Sequence, residues 1–176
     1  MAFELRRPSA ELADSFAAMR DAFVRAGEDP WSPATNLPAT AIAHTDVIAY
    51  VDLLESWVRG ERLPEGWVPG HEFWIVSDGK VVGDLNIRPR LNDWLQKVGG
   101  HIGYGVHPEY RNQGIATFAL REALRFLAVR GVREALVTCR DDNVPSSRVI
   151  EKCGGRRIGD SPVDPPKRRR YLIPTT

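Results

Sequence analysis

The sequence predicts an α+β domain in which helices pack on a sheet, and three of its features carry that prediction. Residues 73–76 and 81–87 are apolar runs on either side of an Asp78-Gly79 turn, the pattern of a β-hairpin. Residues 114–130 form a helix pattern rich in apolar side chains, set between strand patterns at 101–106 and 135–139. A short helix at 145–153 then leads to a closing pair of strands that includes Ile158 and Tyr171-Leu172-Ile173.

Taken in order, the first strand is marked by Phe3 and Leu5 alternating with polar neighbours. Pro8-Ser9 opens a helix that places Leu12, Phe16, Met19 and Phe23 on one face, and Gly27 stops it. Between about 28 and 70 the texture changes to a Pro- and Trp-rich insertion. Pro30, Pro33, Pro38, Pro64 and Pro69 surround a helix that lines up Val47, Val51, Leu54 and Val58, and Trp31, Trp57 and Trp67 lie here too. Such a segment either packs on the domain or roofs a substrate cleft. In the second hairpin strand Val81, Gly83, Leu85 and Ile87 share one face, while Asp84, Asn86 and Arg88 share the other. Gly131 ends the long helix.

With 176 residues, 43% hydrophobic and 27% charged, the chain is expected to be one globular domain, 1–176. At this size roughly 70% of the unfolded surface is buried on folding, so a core forms without disulfides or a structural metal. A net charge of +1 gives no whole-molecule field that would favour nucleic acid or an acidic membrane. No stretch has transmembrane length, and the first residues lack the uninterrupted apolar region of a secretory signal. Cys139 and Cys153 are the only cysteines, so a reducing cytoplasm is the expected location. His44, His71 and His107 show no metal-ligand spacing with them, and no metal is expected. The basic run 167–170 has no interleaved aromatics and is read as a solvated strand edge or turn rather than a nucleic-acid site.

The most informative stretch runs from Val106 through Pro108, Arg111 and Gly114 to Ala116 and joins a strand to a helix. The first turn of a helix has backbone N–H groups without internal partners, and the macrodipole adds positive charge there, so a diphosphate is well received. Gly114 and Ala116 keep side chains out of the way, and Arg111 screens the anion. By themselves a Gly and an Ala ahead of a helix also mark a tight turn into packed structure, so the register decides. It is neither a P-loop, which needs Lys then Ser or Thr after its last glycine, nor the Gly-x-Gly-x-x-Gly of a dinucleotide site.

The register Arg111-x-x-Gly114-x-Ala116 resembles the acetyl-CoA signature of the GNAT acetyltransferase superfamily. A second element agrees: Asn143, Ser146, Val149, Glu151, Lys152 and Gly154 resemble the Asn-x-x-Ser-x-x-Val-x-Glu-Lys-x-Gly segment of the same superfamily. The resemblance implies a three-layer fold with a mixed sheet, splayed between the strand ending at Val106 and the strand at 135–139, and flanked by helices. It implies acetyl-CoA as cosubstrate, with Arg111, Asn112, Gln113, Gly114, Ile115, Ala116 and Thr117 on the diphosphate. The backbone at Val106 would pair with the pantetheine arm and supply the oxyanion N–H, and Asn143 and Ser146 would lie near the thioester. Ile102-Gly103-Tyr104 and Ser146 look most like the ribosomal-protein N-terminal acetyltransferase branch, and a wider set of matching residues resembles predicted acetyltransferases of unnamed acceptor.

The pattern departs at one chemically important position. Many superfamily members carry a tyrosine seven residues after the Asn to protonate the leaving thiolate; here Ile150 stands in that place, and Gly155 replaces the final aromatic of the segment. Ser146 is the nearest protic side chain that the resemblance places by the thioester, with water as the alternative donor, while as a plain helix-start residue it is also a cap candidate. For the base that receives the amine proton, His101 at the head of its strand is the first candidate, with Glu72 and Asp84 behind it; a strand-end histidine is equally an ordinary structural residue. Arg88 and Arg90 form either a solvent face or a grip for an acceptor carboxylate. The expected activity is transfer of acetyl to a primary amine by a monomer or homodimer; the rival is a non-catalytic acyl-CoA sensor that keeps the pocket alone.

Overall fold

The computed structural model describes residues 2–28, 47–163 and 166–175. The proline-rich start of the expected insertion, with Trp31 and His44, lies outside the described residues. In chain order the elements are β1 (Glu4–Arg6), a 3₁₀ turn (Ala10–Leu12), α1 (Ala13–Arg25), α2 (Val47–Val58), β2 (His71–Ser77) and β3 (Lys80–Ile87). A π-helical turn (Leu95–Gly99), β4 (Ile102–Val106), a 3₁₀ turn (Pro108–Tyr110) and α3 (Ile115–Ala128) follow, then β5 (Glu134–Arg140), α4 (Val144–Lys152), β6 (Arg156–Asp160) and β7 (Arg168–Pro174).

The sheet is split in two, β1-β2-β3-β4 and β5-β7-β6, and all their strand pairs are antiparallel. The expected hairpin is present: Asp78 (φ 48°) and Gly79 (φ 73°) both have positive φ, the geometry of a two-residue turn that matches strand twist. One expectation is corrected here. The β2–β3 register shifts between Ile75 and Val76, so Val81 turns to the α1 side and Val82 takes the place beside Leu85 and Ile87.

Three layers result. On one face the 3₁₀ turn buries Leu12 and α1 buries Phe16, Met19 and Phe23 against Trp74, Val76 and Val81, and α2 adds Tyr50, Leu54 and Trp57 at helical spacing. Phe16 stacks on Trp74 at 4.4 Å and on Tyr50 at 5.7 Å, fastening both helices to the sheet. On the other face α3 lays Ile115, Ala119, Leu120, Ala123 and Leu127 over Ile75, Leu85, Ile87 and Ile102, and over Ala135, Val137 and Ile173 of the second sheet. A single helix thus closes both sheets into one core, each large side chain contributing about 1.5–3 kcal/mol by burial.

The basic run is no edge. Arg168, Arg169 and Arg170 lie on β7, the central strand of its sheet; Arg169 pairs with Asp141 at 2.7 Å and Arg170 donates to the Gln96 carbonyl. Nor is the polar face of β3 a solvent face: Asp84, Asn86 and Arg88 are buried, and of the pair considered above only Arg90 is exposed.

Candidate active site

The two sheets meet at one point. Gly100 bridges to Val137, and the His101 N–H donates to the Leu136 carbonyl at 2.7 Å. A Cβ at Gly100 would stand 2.4 Å from that carbonyl, and its φ of 75° suits glycine alone. Beyond this junction no backbone hydrogen bond joins β4 to β5 among the described residues, so the strands part toward Val106. The cleft is the splay that the sequence anticipates.

His101 serves as its hinge pin. Its Nδ1 accepts the Leu136 N–H at 2.9 Å, which requires the ring to keep Nδ1 unprotonated and to carry its proton on Nε2. Burial, with the Arg88 charge nearby, holds its pKa below the usual imidazole value. That arrangement uses the lone pair a general base needs, and the geometry fits a structural role in place of the expected proton acceptor.

At the open end of the splay, β4 passes through the 3₁₀ turn into α3. His107 is buried, its Nδ1 accepts the Glu109 N–H, and its ring meets Tyr110 edge to face at 4.9 Å. Asn112 (φ 64°) and Gly114 (φ 87°) then bend the chain so that Gly114 caps α3 with no side chain. A Cβ there would meet nothing within 4 Å, so the space over the helix start is open. Asn112, Gln113 and Gly114 are exposed, Ala116 and Thr117 half-buried, and only Ile115 turns into the core. Backbone amides at such an open, uncapped helix start are suited to receive an anion. Arg111 stands beside them with its charge engaged: Glu28 holds it through two 2.7 Å bonds, the Phe23 ring lies 5.7 Å below, and Nε donates to the Val106 carbonyl at 3.3 Å.

On the far side of the splay α4 begins at Asn143, whose side chain accepts the Ser146 N–H at 3.1 Å. Asn143 is therefore the cap, and the Ser146 hydroxyl takes no part in it. That hydroxyl lies 2.9 Å from the Tyr104 hydroxyl of β4. Tyr104 pairs with Leu85 and so points to the α3 side of its sheet. Burial pushes its pKa up, against the pull of the Ser146 bond, and keeps it a neutral O–H. Whichever hydroxyl donates to the other, one proton remains for a third group. Ile150, four residues after Ser146 on the same helix, is fully buried in the core, and a Cβ at Gly155 would stand 2.5 Å from its Cγ2. Tyr104 was visible to sequence reading as part of a family-like strand; its bond to Ser146 joins residues 42 positions apart and needs the fold to be seen.

The opposite face of the sheet holds Glu72, Asp84, Asn86 and Arg88, all buried. Burial first, and then the Asp84 carboxylate, raises the Glu72 pKa well above the carboxylate range; Asn86 and Arg88 oppose this. Arg88 is itself lowered to about 10 by burial. Among the described residues no group of three or more His, Cys, Asp or Glu is arranged to hold a metal ion, and no helix is long and apolar enough to cross a membrane.

Comparison with known proteins finds relatives along most of the chain. Residues 3–156 match the family described as acetyltransferase (GNAT) domain. Over 59 residues the chain is 36% identical to the uncharacterized N-acetyltransferase YnaD of Bacillus subtilis, a match that spans 33% of this chain and 35% of that relative. Among solved structures, Mycobacterium smegmatis RimJ in complex with CoA-disulfide superposes with a TM-score of 0.72 at 26% identity, covering 98% of this chain and 81% of RimJ. The self-immunity acetyltransferase MccE, in complex with acetyl-CoA and AMP, has a TM-score of 0.70 at 16% identity over 98% of this chain and 92% of its own. RimL, a ribosomal L7/L12 α-N-protein acetyltransferase in complex with coenzyme A, has a TM-score of 0.70 at 18% identity over 99% and 94%. At these last two identities the likeness is one of fold.

Proposed function

The chain belongs to the GNAT acetyltransferase family, and from that premise we propose that it moves the acetyl group of acetyl-CoA to a primary amine of a small molecule or protein N-terminus by direct attack in a ternary complex. The observation that carries the proposal is the open start of α3 at Gly114, set at the mouth of the β4/β5 splay. The phosphate end of the coenzyme rests on the amides of residues 112–117, and its pantetheine arm enters the splay alongside Val106.

In the reaction the neutral amine nitrogen attacks the thioester carbonyl carbon. The C–N bond forms, the C–S bond breaks, the nitrogen loses one proton to water, and the thiolate gains one. The Val106 N–H is offered to the oxyanion, and the Tyr104–Ser146 pair offers its free proton to the sulfur. Holding both reactants supplies much of the acceleration, on the order of 7–11 kcal/mol for well-oriented groups, so a weakly acidic hydroxyl is sufficient. The side of β4 away from α3 carries only Gly103 and Gly105, opposite Asn86 and Asp84, and the proposal places the acceptor along it.

Arg111 contributes less than its position in the motif suggests, because a phosphate must share it with Glu28. One observation favours a second reading: with Ile150 in the core where the superfamily acid stands, and His101 committed to the junction, a non-catalytic acyl-CoA sensor would keep this site and lack turnover. A panel of primary amines assayed with acetyl-CoA for free thiol separates the two. Amine-dependent thiol release is the expected result; tight coenzyme binding with no release for any amine would favour the sensor.

A further inference from the structure

The row of polar side chains on β2 and β3 has no part in the thioester chemistry above. Glu72 is 3% exposed and Asn86 8%, and the two are paired across the strands with Asn86 Nδ2 donating to Glu72 Oε2 at 3.0 Å. Their remaining oxygens, Glu72 Oε1 and Asn86 Oδ1, are buried and have no hydrogen-bond partner among the described residues. Both can accept, so a donor completes them, and a primary ammonium brings three N–H groups with a positive charge. The surroundings favour a cation. Asp84 of β3 and Arg88 just after that strand act on Glu72, and a small pocket that Glu72 borders, between α2 and the end of β1, adds Glu55 and Arg7 beside Val51, Leu54 and Val58. Glu72, Asp84 and Glu55 thus stand against Arg88 and Arg7, and a bound cation that ionises Glu72 meets an excess of carboxylates.

Position decides which nitrogen this is. Glu72, Asn86 and Gly103 are in register across β2, β3 and β4. Strands lie about 4.8 Å apart, so a cation between Glu72 and Asn86 is roughly 10 Å from the splay edge of β4. That is too far for the nitrogen that attacks the thioester. Between the two points β4 presents only Gly103 and Gly105, a strip without side chains. We infer that Glu72 and Asn86 bind the second ammonium group of a diamine or polyamine acceptor, whose other amine reaches the thioester across the Gly103 and Gly105 strip.

This rests on the acetyl-transfer reading, and the test separates the two. Calorimetry first measures coenzyme A binding, then titrates spermidine and the monoamine n-octylamine into the coenzyme A complex of the parent, Glu72→Gln and Asn86→Ser. The parent is expected to bind spermidine at least tenfold more tightly than n-octylamine. Because the Glu72 carboxyl is held high by burial and by Asp84, ammonium binding should also expel a proton, read as a dependence of the heat on buffer. Glu72→Gln, nearly isosteric, should lose both the selectivity and the proton release, and Asn86→Ser should lose about threefold in spermidine affinity; melting curves confirm that each is folded. Equal binding of the two amines, no binding of either, or spermidine affinity unchanged in Glu72→Gln overturns the inference while coenzyme binding stands. A parent that fails to bind coenzyme A overturns the acetyl-transfer reading, and this inference with it.

Discussion

In the proposed reaction two hydroxyls, 2.9 Å apart across the splay, take the part of a single tyrosine. If the pair donates a proton as the C–S bond breaks, Ser146→Ala and Tyr104→Phe should each lower kcat about 10²-fold, the lower end of the range for general acids, with coenzyme affinity nearly unchanged. The double variant should be no slower than the slower single one, since the two act as a unit. Steady-state kinetics on the three variants checks this, and additive losses would separate the residues. Asn143 caps α4, so Ser146→Ala should leave the melting point almost intact. For His101 the bond to Leu136 predicts an effect on stability. His101→Ala strands the Leu136 N–H and should cost about 1–3 kcal/mol by denaturant unfolding, whereas His101→Asn keeps an acceptor and should cost less. The folded His101 pKa is held below 6.5 by burial, so the unfolded chain takes up the proton first and stability falls as pH drops through about 6.5. His71 and His107 are lowered too, chiefly by burial, so the readout is the part of this slope that disappears in His101→Asn.

Among the elements, the β4–α3 link carries the coenzyme assignment. Gly114→Val sets a β-branched side chain at φ 87° over the helix start, a local strain of about 1–2 kcal/mol that a domain of this size tolerates. The expected outcome is a folded protein with coenzyme affinity reduced beyond detection, while Arg111→Ala, already paired with Glu28 and half-exposed, loses only a few-fold; titration calorimetry beside melting curves reads both. This link was legible in the sequence because its information is local: a strand-ending valine, a proline, and glycine at the helix start. The Asp78-Gly79 hairpin was legible for the same reason. Where the cause is a pairing between strands, the sequence was silent. The bulge that turns Val81 toward α1 arises from the β2 register, and Arg168, Arg169 and Arg170 read as an edge because nothing local shows that β5 and β6 flank them.

For the molecule as a whole, helix α3 holds two sheets whose backbones, among the described residues, join at Gly100–Val137 and His101–Leu136, and the cleft opens beyond that junction. Resemblance to a family anticipated the splay; periodicity did not, since β4 reads the same paired on one side or both. The candidate site was half legible. The turn at 111–117 and Ser146 lie where motifs place them, whereas the buried face of Glu72, Asp84, Asn86 and Arg88 alternates as a solvent face would and is hidden only by tertiary packing. A ligand that bridges both sheets should stabilise the whole domain: at 100 times the dissociation constant the gain is about 2.7 kcal/mol, several degrees in Tm. The most direct measurement is therefore the melting curve of the parent with and without saturating, chelator-treated acetyl-CoA. A rise of several degrees that Gly114→Val abolishes is the predicted result, and superimposable curves for the parent would contradict the coenzyme site and the function built on it.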